Sequence, residues 1–535
     1  MRIYEVTKDG RETRSGTGFW HYRSYRLYLT MIMGLCIFAN MVVRATLSIG
    51  MVCMVNTTST VGANRTGLEV DNQCGASDGN EEGYGGHETW TSGEQSFIFS
   101  AIYWGGVLSS IPAGLFADRY SPKRLVLACF ALQTLGCLLT PLTVSYGGLI
   151  PIFIVRFLMG VGGQAVFNSA IAVILARWIP TDERSTVIAM YTGGNQVGYV
   201  IAMPLNAWLC RQKQFLGGWP SIFYVNGIMM LLSIIPWALF VFDKPEHCKL
   251  ISESELQYIQ TSLSNQKVGS KKGLLKRVPW LKMFTSMALW SCIIGNFAAC
   301  IMVATLESYI PTYFKQALHL DLKSNGMLSS LPYLAQWVSK MLFGIVADAL
   351  KTKTSLSHTW ICRLSNCLNT FVAGALLIAC GYMDCSHTAL AIFFLTAANF
   401  ASSGQVTGYF TSLVCIAPAY TGLVNAFARF SGQVASVIAP YIVGAITVEG
   451  TAEEWKLVYY ITAATLIITG AHFMFFGSTD VQPWAVIPVE RANTIVKTKK
   501  TDVGFEAIDV NKLSAKHDSQ GLIGILPSAD SKIQC

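Results

Sequence analysis

The chain is 535 residues long, 52% hydrophobic and only 13% charged, with a formal net charge of +8. Soluble globular chains carry about 25% charged residues, and a mean hydropathy of +0.43 points the same way, so a water-soluble protein of this length is excluded. The surplus of positive charge belongs to basic loops rather than to a nucleic-acid surface, because no soluble domain is left to carry one.

Residues 1–26 form a polar tail holding Arg2, Lys8, Arg11, Arg14, Arg23 and Arg26. No small-residue cleavage site precedes the apolar run that starts at Leu27, and that run is too long for the core of a signal peptide. It reads as a membrane span with a cytoplasmic tail before it. About 20 apolar residues are needed to cross the hydrocarbon core. Runs of that kind follow at 27–52, 96–117, 124–146, 149–176, 185–209, 220–242, 284–312, 325–349, 360–381, 388–415, 420–446 and 456–477. The prediction is an all-α membrane protein with twelve transmembrane helices. The run from Ser185, broken by Gly, Asn and Gln, carries the weakest pattern.

Loop charge sets the expected orientation. Lys123, Arg124, Arg177, Arg184, the basic stretch Lys267 to Lys282, Lys351 and Lys353 fall on one side. The loop at 56–95 has one basic residue, Arg65, against seven acids. Positive loops stay inside, so 56–95 is expected outside and both termini in the cytoplasm. Two glycosylation sequons, at Asn56 and Asn64, lie in that loop; Asn64 is preferred, since Asn56 sits close to the bilayer. Most of the fifteen cysteines lie in apolar runs, where a thiol acts as a small hydrophobe. No Cys/His cluster has metal-ligand spacing, and Cys74 is left in the polar loop without an evident partner.

The polar stretch 243–283 divides the spans into an N-terminal half (27–242) and a C-terminal half (284–478), with a polar tail at 479–535 that reads as disordered. The halves echo one another. GLFADRYSPKR, with Asp118, Arg119 and Arg124, follows the second span, and GIVADALKTK, with Asp348, closes the eighth. Duplicated six-helix halves are the mark of one large transporter architecture.

On these residues the chain resembles the major facilitator superfamily, and within it the anion:cation symporters, which include sialin, the type I sodium–phosphate cotransporters and the vesicular glutamate transporters. The resemblance spans nearly all twelve helices, through RFLMG from Arg156, RWIPTDERS from Arg177, VIAMPLNAWL from Val200, LSSLPYLAQW from Leu328, IAPAY from Ile416, EEWKLVYYI from Glu453 and VQPWA from Val481. It implies alternating access, a monomer, and a cytoplasmic turn at Asp118, Arg119, Arg124 and Asp348 that controls the conformational switch.

Four bases lie within apolar runs: Arg44, Arg156, Lys340 and Arg429. Each costs about 3 kcal/mol at the bilayer centre, so each has a reason to be there. The reason is either a structural ion pair or contact with an anionic cargo. Glu307 is the one carboxylate well inside a predicted span, so the bases outnumber their partners. Arg44 and Arg156 are expected at similar depth from the outer face, roughly 12 Å, where a planar guanidinium fork suits a carboxylate or phosphate. Lys340 and Arg429 share a depth on the cytoplasmic side. Glu307 is expected near the external mouth, as a coupling group, a gate or an ion-pair partner. The resemblance assigns handling of the substrate anion to arginines at the positions of Arg44 and Arg156. It also shows departures: the family's fourth-span glutamates fall at Met159 and Gly163, its aspartate before I-A-P at Cys415, the glutamate carriers' seventh-span arginine at Ala299 and their second-span histidine at Phe99. Glutamate as cargo is therefore disfavoured.

The expected function is transport of a small organic or inorganic anion, driven by sodium or a proton, with no other cofactor. The alternative is an anion-binding membrane receptor on the same fold. No nucleophile elbow, P-loop or metal cluster supports an enzyme. Asp518, Leu522 and Ile523 fit an acidic dileucine sorting signal, which would favour an endolysosomal or vesicle membrane over the plasma membrane.

Overall fold

Twelve helical passages run through the computed structural model, which describes residues 4–6, 12–14, 18–56, 86–110, 112–113, 120–214, 216–264 and 278–485. In chain order the spans are Tyr25–Met54, Ser92–Ser110, Pro122–Gly147, Leu149–Trp178, the pair Thr181–Thr192 and Gly194–Arg211, and Trp219–Phe240. The second half repeats the pattern with Met287–Gln316, Leu331–Lys353, His358–Gly381, Cys385–Cys415, Thr421–Ile446 and Ala452–Phe476. A three-residue antiparallel pair, Tyr4–Val6 with Glu12–Arg14, precedes the first span.

Eight of the twelve are long and apolar enough to cross a membrane by length and composition alone. The other four are spans 2, 5, 8 and 11, and they share a position. Span 2 packs against span 11 and span 5 against span 8, across the line between the halves. Residues there face the other half rather than lipid, so lipid does not select against Gln196, Gln336, Lys340 or Arg429. Four π-helical turns lie in corresponding spans of the two halves: Thr143–Gly147 and Gly162–Val166 in spans 3 and 4, Leu368–Val372 and Val406–Phe410 in spans 9 and 10. Spans 2 and 4 approach so closely that a Cβ on Gly160 would stand 2.0 Å from the Ile102 carbonyl, which only glycine allows.

One face of the bundle carries the start of span 1, the described parts of the linker (243–264 and 278–283) and the end of span 12; call it the terminal face. The opposite face, the loop face, carries the end of span 1 and the start of span 2. At the terminal face the linker is fastened to the first half. Asp243 accepts from the Ser121 hydroxyl (2.5 Å) and the Lys123 amide (2.9 Å), capping span 3. The linker helix Glu253–Ser264 places the fully buried Glu255 beneath span 1. There its carboxylate accepts from the Tyr25 amide (3.0 Å), the Arg26 amide (3.2 Å) and Arg26 Nε (2.9 Å). A carboxylate at a helix N-terminus satisfies orphan amides and meets the positive end of the dipole. The far end of Arg26 reaches Glu183 at the head of span 5, and its guanidinium lies 4.7 Å from the Tyr258 ring.

The described contacts between halves gather toward the loop face. Lys315 Nζ donates to the Val52 carbonyl (3.1 Å), the Ser48 hydroxyl to the Ser308 carbonyl (2.9 Å), and Ser96 meets the Tyr309 hydroxyl at 2.9 Å. Midway, Tyr199 and Tyr333 stack at 4.5 Å and Gln196 donates to Gln336 (3.3 Å). Toward the terminal face, Thr186, Ile188, Met341, Ala426 and Arg429 are exposed. The seam is a wedge, closed at the loop face and open below. A disulfide between Cys53 and Cys210 ties the loop-face ends of spans 1 and 5, and Cys385, at the start of span 10, is disulfide-bonded as well.

Candidate functional site

Arg44 and Glu307 meet across the seam. Arg44 lies ten residues before the end of span 1 at Met54, and Glu307 nine residues before the end of span 7 at Gln316. At 1.5 Å per residue both lie roughly 14 Å below the loop face, and Arg44 Nη2 stands 3.1 Å from Glu307 Oε2. The expectation of Glu307 near the mouth is thereby corrected. Hydropathy falls after Pro311, but the helix continues to Gln316 because Tyr313 and Phe314 are buried in protein. Tyr313 packs edge-on to Trp455 of span 12, 5.5 Å between centroids.

Arg156 comes into the same place from span 4, seven residues past its start at Leu149. Arg44, Arg156 and Glu307 together line one cavity of about 30 Å³, with Phe99, Tyr103 and Tyr199 among its walls, room for a water or two. The two arginines differ in circumstance. Arg44 is partnered by Glu307 and lies 5.8 Å from the Tyr103 ring. Arg156 is 1% exposed. Its Nε and Nη2 have no hydrogen-bond acceptor among the described residues, and the guanidinium is 5.5 Å from the Phe223 ring. A ring face attracts a cation by about 0.5–2 kcal/mol, which does not offset the burial of a bare charge. Two donors without acceptors among the described residues are thus left on a residue that lines the cavity.

Lys340 and Arg429 do not line this cavity, although Lys340 is close enough to interact electrostatically with Glu307. Lys340, in span 8, is half-buried beside Ser339, whose hydroxyl meets Ser403 at 2.5 Å. Arg429, in span 11, is exposed toward the open part of the wedge. Neither has an ion-pair partner among the described residues. Both lie nearer the terminal face than Arg44 and Arg156.

The terminal-face turn is only partly visible. Arg124 is exposed at the start of span 3, its amide donating to the Ser121 hydroxyl (3.3 Å). Asp348 falls within span 8, but its side chain lies outside the described residues, as do Asp118 and Arg119 altogether. Asn56 is two residues past the end of span 1, its amide bonded to the Glu88 carbonyl (2.8 Å). Asn64, Cys74, Asp518, Leu522 and Ile523 lie outside the described residues.

Sequence reasoning missed Tyr103, Tyr199 and Phe223 as parts of the site, since an aromatic residue in an apolar helix carries no signal of its facing, and met Phe99 only as the position of a family histidine. It also missed Glu255, whose burial depends on a contact with residues some 230 positions earlier. Gln196 of span 5 faces the seam.

A family model described as Major Facilitator Superfamily matches residues 33–362. A putative inorganic phosphate cotransporter of Drosophila melanogaster is 31% identical, over 86% of this chain and 86% of its own length. Sialin of Ovis aries is 30% identical, over 83% of this chain and 87% of its own. Among solved structures, a bacterial homolog of the human lysosomal transporter Spinster superposes with a TM-score of 0.62 at 12% identity, over 86% of this chain and 98% of that one.

Proposed function

The chain belongs to the major facilitator superfamily, as a membrane transporter of the sialin and phosphate-cotransporter type and not an enzyme, and on that premise we propose that it moves a small anion by alternating access, driven by sodium or a proton. The observation that carries this reading is Arg156, buried with two unpartnered donors beside a cross-seam ion pair. An anion entering the cavity would accept from Arg156 in the bidentate manner that a guanidinium favours and would compete with Glu307 for Arg44.

That competition links binding to movement. The Arg44–Glu307 pair helps hold spans 1 and 7 together at the closed end, so an anion that weakens it loosens the loop-face seam. Closing the wedge at the terminal face would then expose the site to the other side. In this scheme Glu307 serves as the gate's counter-charge, and Lys340 and Arg429 attract the anion in the open cleft on the terminal side. The turn residues Asp118, Arg119, Arg124 and Asp348 are assigned to the switch itself.

We place the terminal face in the cytoplasm, so the wedge is open inward. The basic loops support this, and so do the disulfides on the loop face, since such bonds persist on the oxidising side of a membrane. Asn64 is then the proposed glycan site. Asp518, Leu522 and Ile523 remain a proposed address to vesicle or endolysosomal membranes, the plasma membrane being the other destination.

The test is uptake of a panel of labelled anions (phosphate, urate, sialic acid, lactate, aspartate) into proteoliposomes under imposed sodium, proton and voltage gradients. We expect one class to accumulate and Arg156→Ala to abolish it, the effective gradient naming the coupling ion. Binding of an anion without accumulation under any gradient would replace this reading with that of an anion receptor.

A further inference from the structure

Resting on that reading, we infer that Gln164 of span 4 and Gln433 of span 11 form a second, uncharged subsite for the cargo. It takes a hydroxyl or a carbonamide that the anion carries at a distance from its charge, which makes the two amides specificity-determining residues.

The subsite follows from one stripe of span 2. Phe99, Ile102 and Tyr103 line the cavity, and Gly106 continues their spacing of three and four residues along the same helical face. It lies about 4.5 Å of helix rise beyond Tyr103, toward the terminal face. Two side chains close on this glycine. A Cβ there would stand 2.5 Å from Gln433 Oε1 and 3.2 Å from Gln164 Cβ, so the missing side chain on span 2 is what makes room for them. Gln164 follows Arg156 on span 4, within the π-helical turn Gly162–Val166. Gln433 follows Arg429 by one turn on span 11, in the direction of the loop face. The two amides therefore come from opposite halves, and in height they stand between Arg429 in the open cleft and the arginines of the cavity.

Their hydrogen-bonding capacity is complementary and unused. Gln164 is 6% exposed, and its Nε2 has no acceptor among the described residues; Gln433 Oε1, buried too, has no donor among them. Leaving buried polar atoms without partners is costly, so a group that serves both is held firmly. A hydroxyl accepts from Gln164 Nε2 and donates to Gln433 Oε1 at once, and a carbonamide does the same through its C=O and N–H. An ether only accepts, and an ionised carboxylate has nothing to donate to Gln433. With the anionic group on Arg156, the hydroxyl lies on the order of 5–12 Å away, the helix rise from Tyr103 to Gly106 and from Arg156 to Gln164. Inorganic phosphate is too short to reach both ends. The two halves meet at these amides, so the rocking that opens the cavity also parts them around the cargo.

Acids of one carbon chain test this: ω-hydroxyhexanoate, hexanoate and ω-methoxyhexanoate, with inorganic phosphate as the compact case. Binding is read as the shift in thermal unfolding of the purified full-length protein, since a ligand that binds only the folded state raises Tm. The wild type should bind ω-hydroxyhexanoate about tenfold more tightly than hexanoate, and ω-methoxyhexanoate no better than hexanoate. Gln164→Leu and Gln433→Leu keep most of the side-chain bulk. Each should bring the hydroxy acid down to the affinity of hexanoate and leave hexanoate itself unchanged; the two variants, on different spans, separate loss of the subsite from damage to one helix. Failure of ω-hydroxyhexanoate to bind the wild type, equal or tighter binding of any of the other three anions, or a preference that survives both substitutions overturns the inference. Uptake of another anion that depends on Arg156 then leaves the carrier reading standing. Failure of every anion both to bind and to be transported overturns the carrier reading as well.

Discussion

Arg26, at the start of span 1, and Glu255, on the linker helix, meet through a 2.9 Å bond at a point where neither side chain reaches solvent. The same carboxylate caps the helix that Arg26 begins, and Arg26 continues to Glu183 on span 5. Three segments far apart in the chain are pinned together by one guanidinium, so the linker travels with the first half whenever the halves rock.

Removing Glu255 leaves the buried Arg26 charge with part of its compensation gone and the start of span 1 uncapped. Glu255→Ala should therefore destabilise the protein by about 3–5 kcal/mol, read as a fall in the detergent unfolding temperature. Glu183→Gln should cost less, because Glu183 is 19% exposed and water takes over part of its role. Equal losses from the two substitutions would show that Glu255 is not the keystone.

Arg156 predicts the opposite relation between stability and function. Its charge is buried with two donors lacking acceptors among the described residues, so Arg156→Met removes a desolvation cost larger than the Phe223 ring contact it gives up. Stability should hold or rise, by about 1 kcal/mol or more, while anion uptake disappears. Arg156→Lys keeps the charge but lacks the planar fork and should reduce uptake by roughly tenfold. A variant that loses stability along with uptake would assign Arg156 a structural task.

The seam can be jammed at its closed end. A Cβ on Gly326 would stand 2.2 Å from the Ala207 Cβ of the other half, near the loop-face end of span 5. Gly326→Val relieves that clash only if the halves part there. The variant should reach the membrane, fail to transport, and expose Cys300, half-buried on span 7, to impermeant thiol reagents from the loop side. Labelling from the terminal side alone would show that the contact does not close the seam.

The Cys53–Cys210 bond closes a loop of 157 residues in sequence. Cys53→Ser should lower stability by about 2–4 kcal/mol, and reductant, which also reaches the Cys385 disulfide, should lower the wild type by more than it lowers the variant. Orientation is checked separately by glycosidase treatment. Asn64→Gln should abolish the mobility shift, whereas Asn56→Gln, two residues from the end of span 1, should leave it unchanged.

The spans themselves were legible in the sequence because lipid acts on each helix separately, selecting apolar residues along its length whatever its neighbours are. The same reasoning placed Arg44 and Arg156 at one depth, since 1.5 Å per residue converts position into height. It faltered where protein rather than lipid surrounds the helix. Spans 5 and 8 look weak because they face one another across the seam, and span 7 outruns its hydropathy because Tyr313 and Phe314 are buried against span 12.

By itself, then, the sequence determined an all-α membrane protein of twelve helices in two halves, with bases at the depth of a binding site. Only the tertiary structure decided that Glu307 belongs to Arg44 and that two donors of Arg156 lack an acceptor among the described residues, that Lys340 and Arg429 do not line the cavity, and that Glu255 fastens the linker helix. The reason is physical: height in the bilayer is a property of one helix, whereas a partner is a property of two, and which faces of spans 1, 4 and 7 turn toward each other is fixed by the packing of the whole bundle.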